Sequence, residues 1–334
     1  MDRLKTGNSR PENDMTHQSR PDALRASFPR CVARVIAAVT VTAAGFAMSA
    51  DASAQRAFRS PDEAAAALAA AWQGGSTESL LEIFGPQGEK LVRSGDPIAE
   101  RLARERLASA YAEQHLLEAE SDGKAQIVLG KNAWPYPVPL VKRRDGWVFD
   151  VKAGSEQILE RRIGRNELDA IAVCGAYVRA QYDYAARDPA GTGLHEYARK
   201  VASTQGQHDG LYWPVSGDSP ESPLGPLVAT AEAQGYGAAS AAGQTPFHGY
   251  YYRILTRQGV HAAGGARDYF VDGHLTGGFA LLAFPARYGD SGVMTFIVNE
   301  SGIVFERNLG LDTASVAAHI TQFDPDRSWK VVRP

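Results

Sequence analysis

The alternation of apolar and polar positions predicts helices at the start of the folded chain. From Phe58 onward, apolar residues recur at the three- and four-residue spacing of an amphipathic helix. Ser60-Pro61-Asp62-Glu63 supplies a capping serine, a proline suited to the first helical turn and a glutamate that can complete a capping box. Asp96-Pro97 repeats the cap and the proline before a longer apolar pattern. The pattern predicts three helices, at residues 64–72, 76–84 and 98–120.

The period then changes to the two-residue alternation of β-strands. Strands are predicted at residues 124–129, 138–142 and 147–151. A turn containing Asp145-Gly146 separates the last two, and prolines confine the middle segment to a sheet edge or a bulge. Helices packed on a small antiparallel sheet would bury the apolar faces of both. This order of elements resembles the NTF2-like and cystatin-like folds, in which a helix packs into a curved sheet.

The second half of the chain is predicted to be a long helix followed by an antiparallel β-meander. Gly164 is predicted to separate a short helix at 155–162 from a longer one at 167–186. A further helix is predicted at 226–234. Short strands with glycine-containing connections are predicted at 250–255, 268–271, 279–284, 294–298 and 303–307, with a closing helix at 313–321. The predicted fold class is α+β, with an N-terminal domain at 55–162 and a C-terminal domain at 163–334.

The first 54 residues have the pattern of a secretory signal peptide. Arginines precede an uncharged apolar run at 35–50, and Ala52-Ser53-Ala54 provides a small-residue cleavage site. The run is shorter than the roughly 20 apolar residues that a membrane span needs. We expect cleavage after Ala54, while an uncleaved membrane anchor and a start at Met15 stay open as alternatives. The protein is therefore expected to be periplasmic or secreted, with no stable membrane span after cleavage.

Composition narrows the class of protein. The chain has 334 residues, of which 44% are hydrophobic and 22% charged, as in ordinary globular proteins. Residues 55–334 carry 28 basic and 33 acidic side chains, so the mature chain is mildly acidic and gives no electrostatic footprint for nucleic acid. Removal of Cys31 with the leader leaves Cys174 alone, which excludes an intramolecular disulfide. Cys174 is predicted to be a buried small hydrophobe in a helix.

The sequence offers no established catalytic or metal-binding motif. Gly289-Asp290-Ser291-Gly292 is similar to the nucleophile string of chymotrypsin-like proteases, but no matching histidine string precedes it, so a turn between strands is predicted. The histidines lack the spacing of a zinc hydrolase, and no glycine-rich phosphate loop is present. Three evenly spaced histidines would form a site only if three hairpin ends met: His248, His261 and His274. We predict no catalytic residue, no metal and no cofactor.

Aromatic side chains in the polar loops are the predicted binding residues. Tyrosine and tryptophan offer an apolar body with a polar tip, which suits a sugar- or peptide-binding groove. The candidates are His208, Asp209, Tyr212, Trp213 and Tyr251. The alternative hypothesis is an envelope hydrolase in which His208 and Asp209 act with a loop acid such as Glu196. Convergence of those three side chains in one pocket would favour the hydrolase, and their separation would favour binding.

Five strings carry a resemblance to a known family. They are WPYPVPLVK at 134–142, RIGRNEL at 162–168, DGLYWP at 209–214, SPLGPL at 222–227 and SGVMTFIVN at 291–299. Together they resemble the family of exported bacterial proteins called domain of unknown function 2950, over essentially the whole mature chain. The resemblance implies a secreted or periplasmic bacterial protein and supplies no activity, cofactor or catalytic residue.

The C-terminal part also resembles the head of type IV pilins and pseudopilins. The likeness rests on the end of the helix at 180–185, on GYYYRIL at 249–255 and on the strands between 279 and 305. Pilins assemble through an apolar helix continuous with that head. Here about 110 residues separate the leader from the head, which argues against filament formation.

The sequence favours a non-catalytic binding protein of the bacterial cell envelope. No set of residues supplies a nucleophile, a base and oxyanion donors together. The expected partner is an envelope ligand or protein of unknown identity, and nucleic acid is not expected. A structural partner in an envelope assembly is a third hypothesis, and it would expose a large apolar patch.

Overall fold

The computed structural model describes residues 55–333, except for positions 75, 122, 216–219 and 238–244. The signal peptide predicted at residues 1–54 and its cleavage site lie outside the described residues. Helices alternate with sheets along the described chain, and the strand pairs are antiparallel except in one short two-stranded ladder, which confirms the α+β class. The helices are α1 (Pro61–Gly74), α2 (Thr77–Phe84), α3 (Glu89–Val92), α4 (Pro97–Glu113), α5 (Val151–Arg187), α6 (Gly225–Ala233) and α7 (Thr313–His319).

The strands form two main sheets and three short two-stranded ladders within the described residues. They are β1 (His115–Ser121), β2 (Lys124–Leu129), β3 (Trp134–Pro135), β4 (Leu140–Arg143), β5 (Gly146–Phe149), β6 (Lys200–Ala202), β7 (Gly210–Tyr212), β8 (Tyr250–Leu255), β9 (Arg257–Gln258), β10 (Arg267–Asp268), β11 (Phe270–Val271), β12 (His274–Leu275), β13 (Ala280–Pro285), β14 (Met294–Asn299), β15 (Val304–Asn308) and β16 (Lys330–Val331).

The predicted caps begin the N-terminal helices. Ser60 Oγ accepts the backbone N–H of Glu63 at 3.1 Å, as a capping serine should. The Glu63 carboxylate accepts the N–H of Arg59 at 3.0 Å, one residue before the cap. At the start of α4, Asp96 Oδ1 accepts the N–H groups of Ile98 at 3.2 Å and Ala99 at 3.0 Å. These bonds satisfy backbone donors that have no partner inside the helix.

The first sheet corrects one predicted element. Its strand order is β1-β2-β4-β5, with β3 paired to β2, and all pairs are antiparallel. The helix predicted through residue 120 ends at Glu113, and β1 pairs with β2 from His115 opposite Leu129. The leucines, glutamates and alanine of β1 favour a helix by propensity, but strand pairing overrides that weak preference. Helices α1, α2 and α4 share one buried cluster with this sheet.

The second sheet is the predicted meander. Its order is β16-β15-β14-β13-β8, and four predicted strands match β8, β13, β14 and β15 within one residue at each end. The segment predicted at 268–271 instead belongs to the short ladders β9–β10 and β11–β12. Strand β13 is buried on both faces: Leu281 belongs to the cluster shared with α5, and Leu282 to the cluster shared with α7. A strand covered on both sides is apolar throughout rather than alternating.

Helix α5 is continuous over 37 residues, where two helices separated at Gly164 had been predicted. Asp150 caps its start by accepting the N–H of Ala153 at 3.3 Å, and Asp188 ends it in the left-handed region with φ of 43°. The first half of α5 contributes Ile158 to the N-terminal cluster, and the second half contributes Ala170 to the C-terminal one. The helix therefore passes through the boundary predicted after residue 162.

Two smaller predictions are confirmed. Gly289-Asp290-Ser291-Gly292 forms a turn between β13 and β14, in which Ser291 is fully buried and its Oγ donates to the carbonyl of Arg287 at 3.1 Å. Cys174 is buried in α5, and burial raises the pKa of its thiol to about 12. A thiol with so high a pKa is almost entirely protonated at neutral pH and is a poor nucleophile.

Candidate functional site

A cleft of about 890 Å³ opens between α4 and the first half of α5. Residues from the end of β2 to Pro137 line one part of it, and Gln234, Tyr236 and His248 line another. Ligand sites in proteins occupy roughly 300–1,000 Å³, so the cleft has the size of a site for a small molecule. It is lined by residues from both predicted domains.

Aromatic rings line the end of the cleft near the first sheet. Tyr136 lies edge-on to Trp72 with ring centroids 5.2 Å apart and edge-on to Trp134 at 6.2 Å. The Arg161 guanidinium lies 5.4 Å from the centre of the Trp134 ring, within the range of a cation–π interaction. Tyr136 is 4% exposed, so its ring is a fixed wall of the cleft. This end presents rigid apolar surface to a ligand.

Basic side chains outnumber acidic ones around the cleft. The basic residues are Arg104, Arg106, Lys131, Arg161, Arg162 and Arg165, and the acidic residues are Glu100, Glu113 and Asp169. Formal charge along the lining is thus positive by three, whereas residues 55–334 together carry five more acidic than basic side chains. The cleft concentrates the opposite sign of charge from the rest of the protein.

The three carboxylates of the cleft are already engaged by other groups. Glu100 Oε1 accepts the backbone N–H groups of Ser94 at 2.5 Å and Gly95 at 3.1 Å. Glu113 forms an ion pair with Lys131 at 2.7 Å. Asp169 Oδ2 lies 3.4 Å from Nδ1 of His248. None of these contacts neutralises an arginine of the cleft.

Burial and mutual repulsion act on the arginines. Burial lowers the pKa of Arg106, and the nearby charge of Arg165 lowers it further. Burial also lowers the pKa of Arg162, whose guanidinium donates to the carbonyl oxygens of Lys90, at 2.9 Å, and Leu91. Because an arginine keeps its proton at any physiological pH, these shifts report positive charges gathered close together rather than a change of protonation.

Two buried polar atoms of the cleft have no hydrogen-bond partner. They are Nη1 of Arg104 and Oε1 of Gln234. An unpaired buried donor or acceptor is destabilising by roughly 1–3 kcal/mol, and a charged donor by more. Native proteins leave few such groups, and a ligand that supplies the missing partner removes the penalty.

His248 and Asp169 belong to the part of the lining that contains Tyr236. His248 adopts a left-handed backbone with φ of 51°, which is uncommon outside glycine. Its ring lies 4.1 Å from the Phe247 ring and 5.7 Å from the Tyr236 ring, between centroids. Burial lowers the pKa of His248, although the charge of Asp169 opposes this shift. The imidazole is therefore neutral at physiological pH and can donate or accept one hydrogen bond at each nitrogen.

The hydroxyl of Ser94, which lines the cleft, is not positioned to act as a nucleophile. Ser94 is 3% exposed, its Oγ donates to Glu100 Oε1 at 3.2 Å, and it accepts the N–H of Asp96 at 3.3 Å. A catalytic serine needs an accessible oxygen bonded to a general base such as histidine. The contacts of Ser94 fit a structural role at the start of α4.

The residues predicted from the loops lie outside this cleft. His208 and Trp213 stack with ring centroids 4.4 Å apart, beside β7. Trp213 is 3% exposed and its Nε1 donates to the carbonyl of Pro220 at 2.9 Å, so the ring faces the protein interior. Tyr212 donates its hydroxyl to Glu232 Oε1 at 3.3 Å. The structure thus gathers three of the five candidates around β7, where the Tyr212 hydroxyl and the Trp213 indole N–H are bonded to other groups of the protein.

Asp209 and Tyr251 have separate surroundings. Asp209 forms an ion pair with Lys200 at 2.7 Å and accepts the N–H of Thr204 at 2.7 Å. Although partial burial opposes it, bonding to Lys200 and Thr204 lowers the pKa of Asp209 to about 2. Tyr251 lies on β8, where its ring is 5.6 Å from that of Phe284. The assignment of these residues to a binding site stays a prediction.

The contacts of the proposed hydrolase residues do not favour catalysis. Glu196 Oε2 lies 3.0 Å from Nδ1 of His274, and Arg199 bonds the other oxygen of the same carboxylate at 2.5 Å. Asp209 bonds Lys200 and Thr204 instead, and His208 stacks on tryptophan. A carboxylate with a pKa near 2 is a weak general base at neutral pH.

Each of the three evenly spaced histidines contacts a different carboxylate. His248 faces Asp169, His261 faces Asp324 at 3.0 Å, and His274 faces Glu196. No group of three or more histidine, cysteine or carboxylate side chains that could hold a metal occurs within residues 55–333 as far as they are described. Nor does any helix in the described part of the chain have the length and apolar character to cross a membrane.

Sequence reasoning missed the arginines of the cleft. Arg161 and Arg165 are four residues apart on α5, and Arg162 and Arg165 are three apart, so like charges share one helical face. Such pairs destabilise an isolated helix. That spacing, repeated by Arg101 and Arg104 on α4, is a signal in the sequence that could have indicated the site.

Comparisons with known proteins identify a family without an assigned activity. No match to the chain was found among curated proteins or among solved structures. The resemblances to NTF2-like folds and to pilin heads are accordingly not confirmed. Residues 55–332, most of the chain, match the model of a family described as protein of unknown function (DUF2950), and the chain belongs to that family.

Proposed function

We propose that this chain is a non-catalytic binding protein of the bacterial cell envelope and that its ligand occupies the cleft between α4 and α5. The cleft itself carries the proposal. Its volume of about 890 Å³ suits a small molecule, its aromatic walls are fixed by packing, and it retains unpaired polar atoms. The hydroxyl of Ser94 is engaged by Glu100, which supports binding over nucleophilic catalysis.

The envelope location and the two-domain organisation are parts of the same proposal. The arginines, apolar run and small-residue site of the first 54 residues support export to the periplasm or beyond. Separate buried clusters before and after residue 162 support domains at 55–162 and 163–334 that share α5. A site lined by two domains is a frequent arrangement for ligand binding.

A blocking variant and a matched control test this function. Ala103 lines the cleft on α4, whereas Ala112 is exposed on the same helix outside the cleft. Wild type, Ala103→Trp and Ala112→Trp would be recovered from periplasm and weighed intact by native mass spectrometry. We expect a small-molecule adduct on wild type and Ala112→Trp and its loss from Ala103→Trp.

Thermal unfolding provides the second readout. The small-molecule fraction of an envelope extract should raise the midpoint of wild type and Ala112→Trp, because a ligand that binds only the folded state stabilises it. Ala103→Trp should fold, by circular dichroism, and show no increase. An adduct retained by folded Ala103→Trp, or no stabilisation of wild type by any fraction, would contradict a ligand site in the cleft.

A further inference from the structure

The positive charge of the cleft is not neutralised by acidic side chains in the described part of the protein. Its three carboxylates are bound by backbone N–H groups, by Lys131 and by His248. Arg162 is satisfied by backbone carbonyls, and Arg161 lies on the Trp134 ring. The positive charges of Arg104, Arg106 and Arg165 face the cleft from α4 and α5 without a carboxylate partner among the described contacts.

Arg104 gives the most direct evidence that the protein itself does not supply every hydrogen-bond acceptor that the cleft needs. Its Nη1 is buried and has no hydrogen-bond partner, although a guanidinium nitrogen is a strong donor that is unfavourable to leave unpaired in a protein interior. The fork of an arginine matches the two oxygens of a carboxylate or phosphate group. An anionic oxygen would satisfy Nη1 and offset the repulsion between Arg106 and Arg165.

The apolar part of the lining defines the rest of the ligand. Trp134 and Tyr136 present ring surface, and the apolar side chains of Leu107 and Ile158 lie beside them in the lining. An inorganic ion alone would leave this surface uncovered. A molecule with an apolar ring or chain and an anionic group would contact both the aromatic and the arginine-bearing parts of this one lining.

We propose that the cleft binds an organic anion whose carboxylate or phosphate group is held by Arg104, Arg106 and Arg165 and whose apolar part lies against Trp134 and Tyr136. This inference rests on the proposed function, because it names the chemical class of the ligand for the same cleft. The three arginines are binding residues, and none of them is assigned a catalytic role.

Two fluorescent probes of nearly the same shape separate charge from apolar binding. Anilinonaphthalenesulfonate carries one anionic group, and N-phenylnaphthylamine has the same ring framework without it. We expect the full chain to bind the sulfonate at least tenfold more tightly, in one-to-one stoichiometry. Binding of the sulfonate should weaken in concentrated salt, because screening reduces attraction between charges.

Arginine variants locate the effect. The double variant Arg104→Gln/Arg165→Gln should reduce sulfonate affinity at least tenfold, since each charge-assisted bond contributes on that scale. It should leave binding of the uncharged probe within about twofold, because that probe forms no such bond. Arg179→Gln is the control, because Arg179 is exposed on α5 outside the cleft and should change neither affinity.

The outcomes distinguish this inference from the function on which it rests. If Ala103→Trp abolishes binding of both probes but the double arginine variant leaves their affinity ratio unchanged, the cleft is a ligand site and the anion inference is wrong. If folded Ala103→Trp binds both probes as wild type does, or wild type binds neither, the proposed function and the inference both fail. Equal affinity of wild type for the two probes also overturns the inference.

Discussion

The hydroxyl of Tyr236 donates to Oδ2 of Asp96 over 2.8 Å, and this bond joins parts of the chain 140 residues apart. The same oxygen accepts the N–H of Gly249 at 2.9 Å, while Oδ1 caps α4. Asp96 is 1% exposed, so this carboxylate is a buried junction that joins the start of α4 to Tyr236 and Gly249. Burial, reinforced by the charge of Asp96, strongly raises the pKa of Tyr236 and keeps its hydroxyl a donor at all ordinary pH.

Removal of this junction should destabilise the fold. Asp96→Ala loses the cap of α4 and leaves two buried donors, Tyr236 Oη and Gly249 N, without an acceptor. We expect a loss of about 3–5 kcal/mol in the free energy of unfolding, and about 1–2 kcal/mol for Tyr236→Phe. Denaturant unfolding measures both values. The exposed Asp62→Ala should change stability by less than about 0.5 kcal/mol, and an equally small effect of Asp96→Ala would contradict the role of the junction.

Sequence patterns located most elements because local signals and tertiary contacts agree there. The strands of the second sheet and the cap at Asp96 follow directly from apolar runs, turn glycines and cap chemistry. The helix prediction was wrong for the residues of β1, because their intrinsic propensity is helical and their pairing with β2 is a tertiary contact that local preference does not reveal. Gly164 was predicted to break a helix because its local preference was weighed without the packing of α5 on both clusters.

The position of the cleft could not be predicted from sequence patterns in the same way. Its lining extends from Trp72 to His248, and no periodicity relates positions so far apart. The arginine spacing on α4 and α5 indicates like charges on each helix, but it does not show that Arg104 and Arg165 line the same cleft. The loop aromatics are predicted to bind because tyrosine and tryptophan combine an apolar body with a polar tip, yet Trp213 is buried and its indole N–H bonds the protein. A site formed where two helices approach is visible only after the chain folds.

Stability should fall with pH below neutrality through His248. Its pKa in the folded protein is lower than the ordinary value near 6.5, because burial outweighs the nearby Asp169 and Asp96 carboxylates. Below about pH 6.5 the unfolded chain therefore binds a proton that the folded chain does not. This single group reduces the free energy of unfolding with a slope of at most about 1.4 kcal/mol per pH unit.

His248→Asn isolates that contribution. Asparagine tolerates the left-handed backbone at this position and does not titrate. Denaturant unfolding from pH 8 to pH 5 should show wild type losing stability relative to the variant as pH falls. A relative gain of the wild type at low pH would mean that Asp169 dominates and the sign of the shift is reversed.

Asp209 should stabilise the fold rather than act as a base. Despite partial burial, its bonds to Lys200 and Thr204 lower its pKa to about 2, below the value near 3.9 of an unfolded chain. Its stabilising contribution is therefore fully present above about pH 4 and is lost as pH falls toward 2. Asp209→Asn should be less stable than wild type at pH 7, and the difference should shrink between pH 4 and pH 3 in denaturant unfolding. A difference that stays constant over that interval would contradict the ion pair.

Gly154, at the start of α5, lies directly against the backbone of the β3–β4 connection. A Cβ added there would lie 2.5 Å from the carbonyl oxygen of Pro137 and 2.6 Å from Cα of Val138. Helix propensity favours alanine over glycine by about 1 kcal/mol, but this overlap is with backbone that cannot rotate away. We expect Gly154→Ala to lower the free energy of unfolding by about 1–3 kcal/mol, because strain from overpacking exceeds the gain in propensity.

Substitution of Gly164, on the same helix, should have the opposite effect on stability. A Cβ there would meet no atom within 4 Å, and its backbone is helical within the unbroken α5. Gly164→Ala should therefore raise the free energy of unfolding by about 0.5–1 kcal/mol, since glycine loses more conformational freedom on folding. Denaturant unfolding of both variants compares the two positions directly. Destabilisation by Gly164→Ala would mean that α5 is interrupted at this residue. A lower free energy of unfolding for Gly154→Ala together with a higher one for Gly164→Ala is the result expected of one continuous helix whose start packs against the first sheet.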